Sequence, residues 1–257
     1  MCNSRTLTVI KIGGSVLTGA AAYRRAAGFL HQQLALRPGG KVVAIVSAER
    51  GLTDALLTTA RELAAEPDQE ALDLLWSTGE LRSVALLVLA LQDIGVRAAA
   101  ANVHQTGIVG ARASRALPHR SGIRPLRLRS LLATADIVVA PGFLARVEGD
   151  GVASLGRGGS DLSAVLLAAG LGAERCELLK DVPGYFTTDP NEHPEAEHID
   201  VLEYEDAIRM AGEGCDLVQL NALEAACELN VRLLIRAMDN GLTTIVKRST
   251  DEVLSEK

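Results

Sequence analysis

The sequence predicts an α/β protein built on one open, mostly parallel β-sheet sandwiched by helices, a three-layer αβα arrangement. Two observations favour this class. Apolar, β-branched runs alternate along the chain with segments of helical periodicity, which is typical of parallel strands joined by crossover helices. The chain has 257 residues, 48% of them hydrophobic and 23% charged, which is enough to bury a large core.

The strands and helices can be assigned in chain order from these patterns. Buried strands are predicted over residues 6–12, 41–47, 135–142, 175–182, 232–238 and 242–247. Helices are predicted over residues 53–65, 80–94, 203–213 and 221–230, and a further apolar helix opens at Ser160 and Asp161. Ligands of such a sheet bind outside the carboxyl ends of its strands, where the glycine clusters of this chain fall.

Composition excludes several classes of function. The formal net charge of −6 argues against a nucleic-acid or membrane surface, and the apolar run that begins at Ser83 stops at Asp93, short of a membrane span. We expect no signal peptide at the start of the chain. The four cysteines show no CxxC spacing, so buried thiols and a reducing, cytoplasmic location are predicted. The arginine-rich stretch 112–129 is interpreted as a solvated surface segment.

The first glycine cluster, Gly13 and Gly14, follows the first predicted strand and Lys11. Glycines let backbone N–H groups approach an anion closely, and a lysine adds a point charge, so the pattern is compatible with phosphate binding. A tight strand-to-helix turn with an edge lysine explains the same residues.

The second cluster is the stretch GRGGSD, residues 156–161, at the start of the apolar helix. A helix N-terminus binds anions, the planar guanidinium of Arg157 suits a carboxylate, and Asp161 is also a good N-cap. The stretch matches neither a P-loop nor G-x-G-x-x-G. Together the two clusters suggest an anionic cofactor that faces an anionic substrate.

Five segments also match a known family in order. They are VIKIGGSVL (9–17), VVAIVSAERGLTDALL (42–57), EALDLLWSTGELRSVALLVLAL (70–91), VHQTGIVG (103–110) and the long stretch 140–190. On these segments the chain resembles the amino acid kinase family, and within it the catalytic domain of aspartokinase, from residue 8 to about 247. The ACT regulatory domains usual in aspartokinases are not expected in this chain. The resemblance implies one kinase domain, with an amino-acid-binding lobe over about 1–150 and a nucleotide-binding lobe over about 151–250.

The resemblance also implies roles for individual residues. Lys11 would bridge the transferring phosphoryl group, and Asp161 would organise that lysine and the magnesium bound with ATP. Arg157 would hold the α-carboxylate of the amino acid and Glu80 its α-amine. The implied substrate-binding residues are Ser47, Ala48, Thr53, Glu80, Arg157 and Ser160. The implied nucleotide-binding residues are Gly13, Gly14, Ser15, Lys180, Asp181, Val182, Gly184, Tyr185, Asp189 and Pro190.

Beyond ATP and Mg²⁺, the expected partners are an amino-acid substrate and a second copy of the chain in a homodimer. No residue of the chain is expected to ligate a metal by itself. Without regulatory domains, no response to lysine or threonine through the usual sites is expected.

The chain departs from the aspartokinase pattern at several positions. Asn191 stands where the family has arginine, and Asp216 and Gln219 stand where it has lysine and histidine. Lys180 occupies a threonine position, either as a replacement cation or as an exposed lysine at a strand end. Three functions follow: phosphorylation of the β-carboxylate of aspartate, phosphorylation of another amino acid or phosphate acceptor, or nucleotide or anion binding without catalysis.

Overall fold

The computed structural model describes residues 6–110, 123–190, 192–239 and 241–249. Its main sheet has eight strands: β1 (Leu7–Ile12), β2 (Lys41–Val46), β3 (Ala98–Ala100), β4 (Ile137–Pro141), β7 (Arg175–Leu179), β8 (Val201–Glu203), β9 (Leu233–Arg236) and β10 (Thr243–Lys247). A separate antiparallel hairpin is formed by β5 (Leu144–Arg146) and β6 (Val152–Ser154). The helices are α1 (Ala20–Ala35), α2 (Leu52–Leu63), α3 (Gln69–Asp93), α4 (Val103–Thr106), α5 (Leu126–Leu132), α6 (Gly159–Leu171), α7 (Tyr204–Gly212) and α8 (Leu220–Leu229).

The order of strands in the sheet is β3-β4-β2-β1-β7-β9-β10-β8. All neighbouring strands are parallel except β9 and β10, which pair antiparallel. The predicted open, mostly parallel sheet and all six predicted strands are therefore confirmed. The antiparallel pair has a simple cause, since the connection 237–242 is too short for the crossover that parallel pairing requires.

Helices cover both faces of the sheet because successive residues of each buried strand point to opposite sides. Val9 of β1 packs into a cluster with α6 and α8, whereas the next residue, Ile10, packs into a cluster with α1 and α3. The predicted three-layer arrangement is thereby confirmed.

The long helix α3 begins well before the predicted residue 80. Asp68 caps it, because its side chain accepts a hydrogen bond from the backbone N–H of Ala71 at 3.1 Å. Gly79 lies inside the helix, where an added Cβ would lie 3.3 Å from side-chain atoms of Ala48 and Leu52. By length and composition α3 could cross a membrane, but it packs against α1 and the sheet and buries Glu80.

The position of β1 defines where a ligand can bind. Helix α1 carries the chain from β1 to β2 on one side, and β7 pairs with β1 on the other side. The carboxyl ends of these three strands therefore surround a crevice at a topological switch point, which is where ligands of open α/β sheets bind.

Candidate active site

Two lysines share one buried carboxylate in this crevice. Lys11, on β1, places its Nζ 2.9 Å from Oδ1 of Asp161, in the first turn of α6. Lys180, directly after β7, places its Nζ 2.7 Å from Oδ2 of the same aspartate. The structure thus brings together Lys11 and Asp161, the two predicted catalytic residues, and adds Lys180 to them.

The charges of this trio are coupled. Burial by itself raises the pKa of Asp161, but the two ammonium groups outweigh burial and hold that pKa below its ordinary value. Burial lowers the pKa of Lys180, and Asp161 opposes that effect. Among these three side chains one positive charge is left without a counter-charge, at the N-terminus of a helix. This is an environment that favours an anion.

The Gly13-Gly14 turn is packed closely at Gly14. A Cβ on Gly14 would lie 2.1 Å from the carbonyl oxygen of Ala48, whereas a Cβ on Gly13 would lie in ordinary contact, 3.4 Å from Nζ of Lys11. The predicted glycines therefore lie beside Lys11, where their bare backbone can approach a phosphate. Ser15 follows them and is exposed.

Glu80 is the second buried carboxylate of the site. It lies on α3, is 3% exposed, accepts a hydrogen bond from the backbone of Ala48, and leaves Oε2 without a partner. Burial raises its pKa to about 8, although the Ala48 hydrogen bond and the charge of Lys11 both act to lower it. An unpaired, buried acceptor of this kind is suited to a cationic group such as an α-ammonium.

The GRGGSD loop leads from β6 into α6. Gly158 adopts a left-handed conformation, with φ +72°, and a Cβ there would collide with Gln219, which stands at the family's histidine position. Arg157 is exposed, and its backbone carbonyl accepts a hydrogen bond from Asn221 at 3.3 Å. Ser160 packs against Gly142, at the carboxyl end of β4. Arg157 therefore lies at the surface, in the loop that leads to the helix carrying Asp161.

The remaining predicted substrate residues lie on the segment after β2. Ser47 and Ala48 directly follow β2, and Thr53 lies in the first turn of α2. The carbonyl of Thr53 accepts a hydrogen bond from the indole N–H of Trp76, whose ring packs edge-on against Phe143. Trp76 thus packs the helix α3 against this segment.

The segment after β7 carries two aromatic residues in succession. Tyr185, one of the predicted nucleotide-binding residues, is 1% exposed and packs in the core. The next residue, Phe186, is half-buried and packs edge-on against His198. Gly184, with φ +143°, lies against Thr244 and His198 and leaves no room for a side chain.

The other residues of the nucleotide prediction are on the surface or partly buried. Asp181, Asp189 and Pro190 are exposed, and Val182 is half-buried. Asp216 is exposed and accepts a hydrogen bond from Gln219 at 3.3 Å. Asn191 lies outside the described residues, as does most of the arginine-rich stretch.

Sequence reasoning missed one charged residue of the crevice. Arg50 carries its guanidinium 3.0 Å from the carboxylate of Asp181, and so joins the segment after β2 to the segment after β7. No sequence motif identified Arg50, which stands between Glu49 and Gly51 in the segment between β2 and α2. Only the strand order brings it next to Asp181.

The residues present fit a nucleoside triphosphate. The closed glycine turn and the uncompensated buried positive charge suit a polyphosphate, and Mg²⁺ would enter with it, since magnesium is usually held by substrate phosphates and one or two carboxylates. Asp161 and Asp181 are the carboxylates at this place. When bound, the metal would neutralise charge on the phosphate oxygens. Within the described ranges, no three His, Cys, Asp or Glu side chains form a metal site by themselves.

The fold and this site belong to a recognised family of proteins. The model of the amino acid kinase family matches residues 6–237, and the chain is a member of that family.

Relatives that match this chain at 30% identity or more include aspartokinases. The chain is 35% identical over 252 residues to an aspartokinase of Mycolicibacterium smegmatis, covering 97% of this chain and 59% of that protein. The crystal structure of aspartate kinase from Synechocystis has a TM-score of 0.82 at 32% identity, covering 98% of this chain and 41% of that one. A structure of E. coli aspartokinase III with aspartate and ADP has a TM-score of 0.82 at 24% identity, covering 96% of this chain and 65% of the other, and that likeness shows the fold. The chain thus spans well under two thirds of the first two relatives.

Proposed function

We propose that this protein transfers the terminal phosphoryl group of ATP to the β-carboxylate of L-aspartate. A carboxylate oxygen of aspartate attacks the γ-phosphorus, the bond from that phosphorus to the β–γ bridging oxygen breaks, and ADP leaves with the bonding electron pair. The product is the acyl phosphate 4-phospho-L-aspartate.

The observation that carries this proposal is the pairing of Lys11 and Lys180 on the buried Asp161. Phosphoryl transfer needs little covalent help and depends on positioning and on stabilising charge at the phosphate oxygens. Two fixed ammonium groups beside a bare glycine turn supply that charge. The relatives' identities of about 35%, with coverage of nearly the whole of this chain, support the choice of substrate.

The amino acid is proposed to lie between Glu80 and Arg157. Glu80 receives the α-ammonium through its unpartnered oxygen, and Arg157 forms a bidentate pair with the α-carboxylate. The remaining substrate-binding residues in this proposal are Ser47, Ala48, Thr53 and Ser160. This places the amino acid beside Ala48, which also contacts the glycine turn, so acceptor and phosphate are neighbours.

The nucleotide is proposed to lie along the Gly13-Gly14 turn and the segment that follows Lys180. Asp181, Val182, Gly184 and Tyr185 are its proposed neighbours there, with Ser15, Asp189 and Pro190 at the periphery. The division into an amino-acid lobe and a nucleotide lobe, the cytoplasmic location, the use of Mg²⁺ and the homodimer are parts of the same proposal.

The test is ADP release from Mg-ATP across a panel of amino acids, with hydroxylamine present to trap an acyl phosphate as a hydroxamate. We expect a hydroxamate with aspartate. Turnover with another acceptor would replace aspartate as the substrate, and ATP binding without turnover would identify a catalytically silent homologue.

A matched pair of lysine variants separates catalysis from folding. Lys11→Met should lower turnover by about 100-fold or more, because one charged donor to the transition state is lost. Lys41→Met is the control, since Lys41 is also ion-paired at 2.9 Å and has a side chain 10% exposed against 9% for Lys11, but lies at the other end of the sheet beside Asp136. It should lose stability and keep its turnover. An active Lys11→Met protein would contradict the assignment.

A further inference from the structure

Arg50 is held by its backbone against the turn that is proposed to receive phosphates. Its N–H donates to the carbonyl oxygen of Gly14 at 3.1 Å. The neighbouring Ala48 carbonyl lies so close to Gly14 that no side chain fits there. The segment 48–50 is therefore packed directly on the glycine turn, and the start of the Arg50 side chain is fixed in relation to it.

The side chain of Arg50 extends across the mouth of the crevice to Asp181. Nη2 of Arg50 lies 3.0 Å from Oδ2 of Asp181, although the two residues are 131 positions apart in the chain. Both side chains are mostly exposed, 68% for the arginine and 62% for the aspartate. Exposed ion pairs contribute little to stability, so Arg50 can leave this partner at small cost.

The surroundings favour a different partner for Arg50 when a ligand is present. Asp181 directly follows Lys180, whose ammonium group is already engaged with Asp161 beside Lys11. A polyphosphate bound among these cations would bring several anionic oxygens to the same place. A guanidinium binds phosphate oxygens in a bidentate manner, more strongly than it binds one solvent-exposed carboxylate.

The location of Arg50 selects one end of the nucleotide. Arg50 and Thr53 are on the same short segment, and Thr53 belongs to the proposed amino-acid side of the site. A side chain that starts on this segment approaches the phosphate nearest the acceptor, which is the terminal one, rather than the nucleoside.

We propose that Arg50 is a further phosphate-binding residue, which rests on Asp181 in the empty crevice and moves to the terminal phosphate of a bound nucleoside triphosphate. This inference rests on the nucleotide site of the proposed function and adds to it a mobile cation. The transfer from Asp181 to phosphate closes the mouth of the crevice over the reacting groups and would limit access of water to the acyl phosphate.

The test is calorimetric binding of AMP, ADP and the non-hydrolysable analogue AMPPNP to the full chain in the presence of Mg²⁺. Arg50→Gln should weaken AMPPNP binding by about tenfold or more and leave AMP binding unchanged, with ADP between them. Arg50→Lys, which keeps the charge and loses the planar fork, should recover part of the loss. Arg82→Gln is the matched control and should leave all three affinities unchanged. Arg82 has an exposed guanidinium that pairs at 2.7 Å with Glu49, the residue that precedes Arg50.

Other results would overturn the inference. Equal weakening of AMP, ADP and AMPPNP by Arg50→Gln would show that Arg50 only holds the loop, and unchanged AMPPNP binding would show that it has no role with the nucleotide. If the unaltered protein bound none of the three nucleotides, the nucleotide site itself would be refuted together with the mobile cation. That outcome differs from the first two, in which wild-type binding is intact.

Discussion

Glu80 makes a stability prediction that can be worked through in numbers. Burial raises the pKa of this carboxyl from 4.5 to about 8. In the unfolded chain Glu80 ionises near the ordinary value, so between these two pH values the folded state holds a proton that the unfolded state has lost. Because the folded state binds more protons, the free energy of unfolding falls as the pH rises through this window.

The size of the effect follows from the same two values. At about 1.4 kcal/mol per pH unit, the wild type should lose roughly 3 kcal/mol between pH 5.5 and pH 8.5 from this group alone. Glu80→Gln keeps an acceptor for the Ala48 N–H and has no charge to bury, so it should not share that loss. Asp161 does not interfere, since its pKa is lowered from 3.8 and its contribution is lost only as the pH falls below this window.

The assay is urea unfolding of the wild type and Glu80→Gln in parallel at pH 5.5 and 8.5, without ligands. We expect similar stabilities at pH 5.5, within about 1 kcal/mol, and a variant more stable than the wild type by roughly 3 kcal/mol at pH 8.5. The same variant should lose binding of the amino acid, because its neutral amide cannot pair with an α-ammonium. A stability difference that is the same at both pH values would refute the reasoning.

Three further predictions follow from the site. Glu80 is protonated at neutral pH before a ligand binds, so KM for aspartate should fall as the pH rises from 6 to 8. Calorimetry in buffers of different ionisation enthalpy should detect proton release when aspartate binds. A pH-independent KM without proton release would contradict this prediction. Gly14→Ala should cost about 1–3 kcal/mol of stability in urea unfolding and should weaken ATP binding, because the new Cβ would displace the Ala48 carbonyl. The control is Gly28→Ala in α1, where the space is open, which should stabilise the protein by up to ~1 kcal/mol. Lys180→Gln should weaken ATP binding about tenfold or more in calorimetry, since one of two buried ammonium groups is lost; unchanged binding would assign Lys180 to a structural role.

The sheet was predictable from the sequence because its strands are short apolar runs bounded by turn residues. The helices were less so. The start of α3 was misplaced because Gly79 interrupts the helical pattern, and a glycine inside a helix ordinarily indicates a turn. Glycine stands at position 79 because Ala48 and Leu52 approach the helix closely there. Such a tertiary contact is not visible in a local sequence pattern. The alanine-rich helix α1 was not singled out because neither a side-chain cap nor a sharp boundary marks its start.

The candidate site was predictable where a motif carries its own chemistry and not where side chains meet only in space. Lys11, Gly14 and Asp161 lie on motifs and converge in the structure. Tyr185 was assigned to the nucleotide through the resemblance to the family, and its burial in the core depends on packing that the motif does not contain. The role of Arg50 depends on a pairing between segments far apart in sequence, which becomes visible only with the strand order.

The two lysines that share Asp161 also couple stability to occupancy. They fasten β1, α6 and β7 together, and they leave the empty crevice with a charge that an anion can balance. Whatever binds there stabilises the folded chain by mass action, by about 2.7 kcal/mol at a ligand concentration one hundred times Kd. If the proposed nucleotide is that anion, the protein purified without nucleotide should unfold more readily than the same protein in the presence of ATP. Its resistance to heat and proteases should then increase with the nucleotide concentration.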